Sequence, residues 1–403
     1  MDPSLLTDAL SSTVDGLARD LVDVRRDLHA HPELARTEMR TTTLVARHLE
    51  AAGVRVRPLP GTGLVADLGP RDAAYRVALR ADLDALPVLD RTGLPWASVH
   101  EGICHACGHD VHTSALLGAG LALRAHEDAW RDLGMAVRLI FQPAEEVIPG
   151  GAHEVVAHGG LDGVDRIFGI HCDPAVDVGR VGLAEGPITA AADSVTVTLS
   201  GRGGHTSRPH LTEDLTYALA KVVTDVPAAL SRRLDPRAGA ALVWGSLHAG
   251  GAQNVIPSTG TVSGTLRMLD ADAWASMGHL VEDLVEAVVA PYGVSAKVEH
   301  VRGVPPVVND HVSVEVVSDA ARAVLGPDAV ESTRQSLGGE DFAWYLTTVP
   351  GAMIRLGTRT PGGRTYDLHQ GDLTVDENAI CVGAKLLAAS ALGCSSLAGQ
   401  IGA

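Results

Sequence analysis

Apolar residues recur every three or four positions between residues 4 and 29, and Pro32 ends that pattern. This spacing predicts one long amphipathic helix, and a second helical pattern covers residues 40–52. Beyond it, short β-rich runs alternate with helical stretches, which predicts an α/β layer built on a mixed, mostly parallel sheet. The β-rich runs are GLVADL (63–68), YRVALRA (75–81), AVRLIFQP (136–143) and RIFGIH (166–171), and a helix is predicted over residues 112–125.

The pattern changes near Pro187, where a strictly alternating run begins a second series of elements. Strand patterns at 194–201, 240–250, 259–269 and 294–301 enclose helical patterns at 211–230 and 270–292. Their order, β-α-β-β-α-β, is typical of a ferredoxin-like α+β domain. Helical patterns near 311–325 and 374–393 then return to the first layer. We therefore predict one domain made of residues 1–186 and 304–403, with an inserted domain at 187–303.

Composition and charge narrow the classes of partner. The 403 residues are 46% hydrophobic, enough for two domain cores, and the formal net charge is −17. Such acidity argues against a nucleic acid or an anionic membrane as partner and favours a small-molecule substrate. The sequence shows no signal-like start and no run of about 20 apolar residues, so we expect a cytoplasmic protein. Five cysteines are an odd number, which leaves thiols available as metal ligands.

The stretch HACGHD, residues 105–110, concentrates metal-binding side chains. Cys104 and Cys107 form a C-x-x-C pair, but no second pair completes a zinc ribbon, and the flanking histidines are foreign to a redox motif. Cys107 and His109 lie two apart ahead of a helix, where both could contact one ion. This pattern favours a hydrolytic metal site, and the alternative is a buried thiol beside a helix-capping Asp110.

Further donor side chains follow predicted strands. Glu145 and Glu146 come directly after a buried strand, at the edge of the sheet where α/β proteins bind ligands. One carboxylate could hold a metal while the other moves protons, although a solvated pair opening a loop is the alternative. His171 ends the buried run RIFGIH, and His369 lies in DLHQGD near the chain end; a lone histidine in either place is more often structural. Four such donor groups in one layer make a coincidence less credible.

These motifs resemble the M20 metallopeptidase family, and most closely its amidohydrolase branch, which includes N-acyl-amino-acid, hippurate and auxin-conjugate hydrolases. The combination of HACGHD with QPAEE is highly specific, and the resemblance spans nearly the whole chain. The segments that carry it are RRDLHAHPELARTE, RADLDALP, CHACGHDVHTSALLGA, FQPAEE, GIH, GRGGHTSRPH, NVIP, GTLR, EDFAWYL and LH.

The resemblance implies two divalent metal ions, Zn²⁺ or Mn²⁺, at a binuclear site. It implies that Glu145 is the general base and that Asp84 is a carboxylate that orients a ligand. Asp82 stands where other branches of the family carry a ligand histidine. The implied metal ligands are Cys107, His109, Glu146, His171 and His369.

For the inserted domain, the resemblance implies a lid and dimerisation role in a homodimer or higher homo-oligomer. It implies that His205 stabilises the oxyanion, often in a partner subunit's site, and that Asn254 and Arg267 hold a substrate carboxylate. The expected reaction is hydrolysis of an N-acyl amino acid. A dipeptidase or metallocarboxypeptidase of the same family, or a catalytically dead relative, is the alternative. One departure from the family pattern is the HQGDL continuation after Leu368, which bears on the placement of His369.

Overall fold

The structure is a computed structural model that describes residues 3–401. The chain divides into two compact units. The first holds the chain up to Gly186, then Val308–Arg334 and everything from Asp341 onward, and the second holds Pro187–Val307 and Gln335–Glu340. The predicted inserted domain ended at residue 303, and the sequence analysis did not assign the short segment 335–340 to it.

The elements are numbered here in chain order. The strands are β1 (Arg55–Pro58), β2 (Leu64–Leu68), β3 (Tyr75–Asp82), β4 (Met135–Gln142), β5 (Arg166–Asp177), β6 (Val181–Leu183), β7 (Gly186–Pro187), β8 (Ala191–Ser200), β9 (Gly204–His205), β10 (Ala241–Ala249), β11 (Val255–Ile256), β12 (Thr259–Met268), β13 (Ser295–Val304), β14 (Val308–Asn309), β15 (Val330–Ser332) and β16 (Gly351–Arg359). The α-helices are α1 (Pro3–Ala30), α2 (Met39–Ala51), α3 (His109–Ala125), α4 (Glu127–Trp130), α5 (Ala152–Ala157), α6 (Leu215–Arg233), α7 (Ala271–Ser276), α8 (Leu280–Val289), α9 (His311–Leu325), α10 (Ala343–Leu346), α11 (Asn378–Gly393) and α12 (Ser395–Ile401).

An eight-stranded sheet forms the centre of the first unit, in the order β1-β2-β4-β3-β5-β16-β6-β15. The four central strands β4, β3, β5 and β16 are mutually parallel, while β1 and β2 pair antiparallel at one edge. Every residue of β4 is buried, as expected for a parallel strand covered on both faces. The mixed, mostly parallel sheet predicted from the sequence is confirmed.

Helices α1, α3 and α11 pack against one another beside this sheet, and α3 also contacts β3 and β5. The stretch Asn378–Ala398 is long and apolar enough to cross a membrane by length and composition alone. The prediction that the chain has no apolar run of this length is therefore wrong. However, 61% of the most apolar window of this stretch is buried, and α11 contributes to the main hydrophobic core, so this is a core helix.

The second unit contains a four-stranded antiparallel sheet in the order β10-β12-β8-β13. With helices α6 and α8 between its strands along the chain, this order confirms the ferredoxin-like topology. The single helix predicted over residues 270–292 is instead divided into α7 and α8. Gly278 lies between them with a φ of +53°, a left-handed conformation that interrupts helical geometry.

Asp193 organises polar groups inside the second unit. Its buried carboxylate accepts hydrogen bonds from Trp274 Nε1 at 3.0 Å, from His300 Nε2 at 2.8 Å and from the Gly303 backbone N–H at 2.9 Å. The Arg302 guanidinium lies 3.2 Å from the same carboxylate. This one side chain therefore joins β8, α7 and the end of β13.

Candidate metal centre

The predicted ligands of the first unit come from four places in the chain. His109 is the first residue of α3, and Cys107 precedes it on the loop after β3. Glu146 follows the end of β4, and His171 lies within β5. His369 is in the loop between β16 and α11, with a φ of +61°. The parallel order of β4, β3 and β5 is what brings three of these segments to one edge of the sheet.

These five side chains meet in one cluster. Donor atoms of Cys107, Glu146 and His369 all lie within 4.8 Å of one another, and so do those of His109, Glu145 and Glu146. Glu146 Oε1 is 3.4 Å from His369 Nε2 and 3.7 Å from His109 Nε2. Cys107 Sγ is 3.7 Å from His171 Nε2. Glu146 thus belongs to both groups of donors.

Several polar atoms in this cluster make no hydrogen bond with the residues that the structure describes. They are both ring nitrogens of His109, which is fully buried, and Glu146 Oε1. Buried polar atoms without partners are costly, and those in native proteins normally have an explanation such as an ion. Imidazole, thiolate and carboxylate are all ligands of Zn²⁺, and imidazole and carboxylate also suit Mn²⁺. The residues therefore fit a divalent metal site.

The electrostatics of the cluster also favour a cation. Contact with the side chains of Cys107 and Glu146 raises the pKa of His369 to about 10, and Glu146 Oε1 lies 3.4 Å from its Nε2. Burial alone would lower the pKa of His109, but the neighbouring Asp82 and Cys107 raise it well above its ordinary value. Both histidines respond to an excess of negative charge around them. A divalent ion would meet the same excess and would bind in place of these protons.

Asp84 holds the backbone of the two glutamates. Its Oδ1 accepts the Glu145 N–H at 3.0 Å and its Oδ2 accepts the Glu146 N–H at 2.9 Å. The same carboxylate lies 3.4 Å from His109 Nδ1. One buried side chain is therefore in contact with a predicted ligand and with the backbone of the two glutamates. This position is compatible with the orienting role that the resemblance implied.

The sequence analysis missed Glu38, which shapes the turn before the glutamates. The buried Glu38 carboxylate accepts the Ala144 N–H at 2.8 Å and the Thr62 hydroxyl at 2.6 Å, and burial raises its pKa. Ala144 has a φ of +55°, which is uncommon for a residue with a side chain. Glu38 lies 106 positions from Ala144 along the chain, so no local spacing could have indicated the contact.

The sequence analysis also missed the partners of Asp110, the residue after His109. Its buried carboxylate lies 2.8 Å from Arg25 Nε and 2.8 Å from His29 Nδ1, both on α1. These ion pairs join the first helix of the chain to the first turn of α3. His29 is therefore engaged with Asp110, and its Nε2 lies 3.4 Å from Asp90.

Three predicted residues lie in the second unit. His205, on β9, pairs with Val255 on β11, and the Thr206 N–H donates to the Asn254 carbonyl, so His205 and Asn254 are neighbours. Both side chains are exposed, and His205 Nδ1 accepts from the Ser207 N–H at 3.1 Å. Arg267 instead lies near the far end of β12, opposite Ala192 and Ala241. One chain therefore brings His205 and Asn254 together, but not Arg267.

Residues 78–392 match the sequence pattern of Peptidase family M20/M25/M40. The chain belongs to this family. The family membership that the motifs indicated is thus confirmed. Because the family consists of hydrolases, the protein is a hydrolase.

Two relatives and one solved structure illustrate the similarity. The chain is 38% identical over 377 residues to N-acetyl-L-cysteine deacetylase of Bacillus subtilis, covering 93% of this chain and 88% of that protein. It is 48% identical over 372 residues to a Rhodococcus jostii protein provisionally named glutamate–cysteine ligase 2-3. That match covers 92% of this chain but only 46% of the longer relative. A Bacillus subtilis crystal structure described as a dinuclear metal binding peptidase from the M20 family superposes with a TM-score of 0.81 at 34% identity, covering 94% of this chain and 98% of that one.

Proposed function

We propose that this family member is a metal-dependent amidohydrolase that cleaves N-acyl amino acids to a carboxylic acid and a free amino acid. The observation that carries the proposal is the cluster of five donor side chains with Glu145 beside it. A site that only stores a metal needs no second carboxylate next to a ligand, whereas hydrolysis needs a group that moves protons. The cluster argues in the same way against a catalytically dead relative.

Cys107, His109, Glu146, His171 and His369 would hold two divalent ions. When bound, such ions polarise the acyl carbonyl and lower the pKa of the attacking water toward about 7. The thiolate of Cys107 favours Zn²⁺, while the imidazoles and carboxylate would equally suit Mn²⁺. We therefore propose Zn²⁺ or Mn²⁺ as the resident ion.

Glu145 would take the proton of the attacking water and pass it to the nitrogen of the leaving amine. Asp84 supports this role because it fixes the peptide groups on both sides of the Glu145 Cα atom. His205 would donate to the oxyanion that develops on the acyl carbonyl, and such donors are worth about 10²- to 10³-fold in rate in other enzymes.

The substrate is proposed from the relatives. The deacetylase relative is named for N-acetyl-L-cysteine, which supports small N-acyl amino acids and makes that compound the first to test. The solved relative is described as a peptidase, which favours unblocked dipeptides as the second candidate class. The two classes differ in whether the site must accommodate a free amino group.

We further propose that the active assembly is a homodimer or higher homo-oligomer. Arg267 is eight positions along β12 from Thr259, or about 26 Å at the rise of a strand, while Asn254 lies just before the start of that strand. No single substrate carboxylate can reach both side chains in one chain. If both hold the same carboxylate, they come from two copies.

The edge strand β10 supports the same proposal. This strand lies at an edge of the four-stranded sheet, and its apolar residues Val243 and Leu247 are 62% and 51% exposed. Exposed apolar edge strands are normally covered in soluble proteins, and a second copy is one way to cover this one. We expect such an oligomer in the cytoplasm, without a nucleic acid or membrane partner.

The test combines metal analysis with a substrate panel. Protein purified without added metal should contain Zn or Mn, and anomalous scattering should place two ions among the five donors. The panel should contain N-acetyl-L-cysteine, hippurate, other N-acetyl amino acids and unblocked dipeptides. Cleavage of the N-acyl compounds alone supports the proposal, while cleavage of only the dipeptides assigns the peptidase activity. No hydrolysis by the metal-loaded protein, with two ions in place, contradicts the proposal.

A further inference from the structure

His112 is a fully buried side chain that the proposed reaction does not use. It lies one helical turn after His109 on α3, and its ring centroid is 5.3 Å from those of both His109 and His171. Its position inside the donor cluster could suggest a sixth ligand. Its hydrogen bonds assign it another role.

Both ring nitrogens of His112 have partners. The backbone N–H of Cys172 donates to Nε2 at 2.8 Å, and Nδ1 lies 2.6 Å from Asp82 Oδ1. A backbone N–H can only donate, so Nε2 must carry the lone pair and Nδ1 must carry the proton that is donated to Asp82. These two contacts fix both the tautomer and the ring orientation, and they leave no nitrogen for a metal.

Asp82 is equally occupied. Its Oδ2 accepts from Arg80 Nη1 at 2.6 Å, and its Oδ1 is the atom that His112 contacts. Arg80 is itself held by Gln142 at 2.9 Å and by Asp341 at 2.9 Å, all of them buried. A carboxylate with a guanidinium on one oxygen and an imidazole on the other is held in one orientation. Its contacts hold His112 in place.

His112 contacts the peptide group that directly follows His171. The Cys172 nitrogen that donates to His112 belongs to the bond joining His171 to Cys172. His171 Nδ1 donates to the Cys172 carbonyl at 2.9 Å, which leaves Nε2 as the free lone pair, 3.7 Å from Cys107 Sγ. The His171 ring therefore leaves a backbone that His112 holds at the Cys172 N–H, in addition to the pairing of β5 with β16.

We propose that His112 is a positioning residue that aims His171 at the metal, with Arg80 and Asp82 holding His112 in turn. This inference rests on the proposed function, because it assumes that His171 is a ligand. Under this proposal the residues around the metal centre have two different roles. Asp82 and His112 orient the site, and the five predicted ligands bind the ions.

Two substitutions separate the contacts of His112. The amide of His112→Gln reaches about the position of Nε2 and can still accept the Cys172 N–H. The shorter amide of His112→Asn reaches about the position of Nδ1, so it keeps the Asp82 contact and loses Cys172. Loss of groups that orient ligands typically weakens metal binding by about 10- to 100-fold. We expect that loss for one of the two ions in His112→Asn, and less than about threefold in His112→Gln.

The measurement is a Co²⁺ titration of the metal-free protein, followed by visible absorption and calorimetry, with thermal unfolding recorded alongside. His300→Asn is the matched control, because it disturbs another histidine whose side chain is buried 2.8 Å from an aspartate, in the second unit. The control should still bind two ions with unchanged affinity. An unmodified protein that binds fewer than two ions would remove the proposed function itself. The positioning role alone is overturned if the unmodified protein binds two ions and the two variants lose metal affinity equally, or neither loses any.

Discussion

Glu145 and Glu146 are neighbours in sequence, and the proposed function gives them different roles. Glu146 Oε1 lies within 3.7 Å of two histidines and is buried without a hydrogen bond to the described residues. Asp84 accepts the backbone N–H of both residues, so both side chains leave a fixed piece of backbone. A chain needs such a fixed backbone if one carboxylate is to bind metal while the next one moves protons.

At this scale we predict that Glu145→Gln keeps both metal ions but lowers kcat by about 10²- to 10⁴-fold, because it removes a proton carrier and no ligand. The check is kcat on the best substrate of the panel together with metal content by elemental analysis. Glu146→Gln is the comparison, and it should lose metal as well as activity. A Glu145→Gln variant with kcat within a factor of about three of the unmodified protein would remove Glu145 as the base.

The donors could be predicted from sequence because each lies in a short motif beside a predicted strand or helix, such as Cys107 and His109 before α3. Their supporting residues could not. Glu38 contacts Ala144 across 106 positions, and Arg25 contacts Asp110 from a different helix. Nothing in the local pattern distinguishes these charged residues from ordinary surface charges. Burial is what makes them significant, and burial depends on how distant elements pack.

Among the elements, the loop that carries His369 is held by its backbone. The His369 N–H donates to the Ala106 carbonyl at 2.7 Å, next to Cys107, and the Arg91 N–H donates to the Gly371 carbonyl at 2.7 Å. Gly371 approaches so closely that a Cβ atom there would lie 1.9 Å from the Leu89 carbonyl oxygen. The HQGDL sequence thus places its histidine by close contact between two loops.

Gly371→Ala should therefore shift this loop and weaken metal binding by at least about tenfold, the scale on which groups that orient ligands act. The prediction is checked by calorimetric titration of the metal-free variant with Zn²⁺. Gly16→Ala on α1 is a matched control, because a methyl group there meets nothing within 4 Å. Unchanged affinity in Gly371→Ala would mean that the loop adapts without moving His369.

The Asp193 contacts predict how the second unit responds to acid. Burial alone would raise the pKa of Asp193, but hydrogen bonds from His300, Gly303 and Trp274 lower it below its ordinary value. A carboxylate with a lowered folded-state pKa stabilises the fold fully above its unfolded pKa of about 3.9, and this contribution is lost as the pH falls through the folded-state pKa.

Asp193→Asn should accordingly cost about 1.5 to 3 kcal/mol at pH 6, the range for hydrogen bonds to a charged group. The cost should shrink as the pH falls below about 3.9, because the unfolded chain then takes up a proton that the folded carboxylate does not. Denaturant unfolding between pH 3 and pH 6 measures both effects, and the exposed Asp283→Asn provides the control. A cost that does not change with pH would show that the carboxylate acts through packing alone.

For the whole molecule, the two kinds of sheet could be predicted because strand spacing and alternation change visibly near Pro187. The assignment of Gln335–Glu340 to the second unit could not be predicted, because a segment of six residues is too short to show a periodic pattern. In that segment the Gly338 carbonyl accepts from the Ala190 N–H and the Ser336 N–H donates to the Ile188 carbonyl. Such backbone pairing is independent of side-chain pattern, so sequence reasoning assigned the residues to the first domain.

The proposed oligomer makes a prediction at the same scale. His205→Ala and Arg267→Ala should each be nearly inactive alone. If one site takes its His205 and its Arg267 from different copies, mixing the two variants under conditions that exchange subunits should restore about a quarter of the normal activity, because half of the dimers are mixed and each has one intact site. The check is activity after exchange, with each variant incubated alone as control. If the mixture is shown to contain mixed dimers and activity does not recover, each site takes both residues from the same copy.

The order of the central sheet has a consequence for synthesis on the ribosome. Strand β16 lies between β5 and β6 in the sheet but is made roughly 170 residues after them, so β5 has an open edge while the intervening residues are synthesised. His369, which follows β16, is the last of the five donors to be made. Four of the five proposed ligands therefore wait in a nascent chain whose sheet is incomplete, and only a polypeptide that extends past His369 can bind metal with the full set.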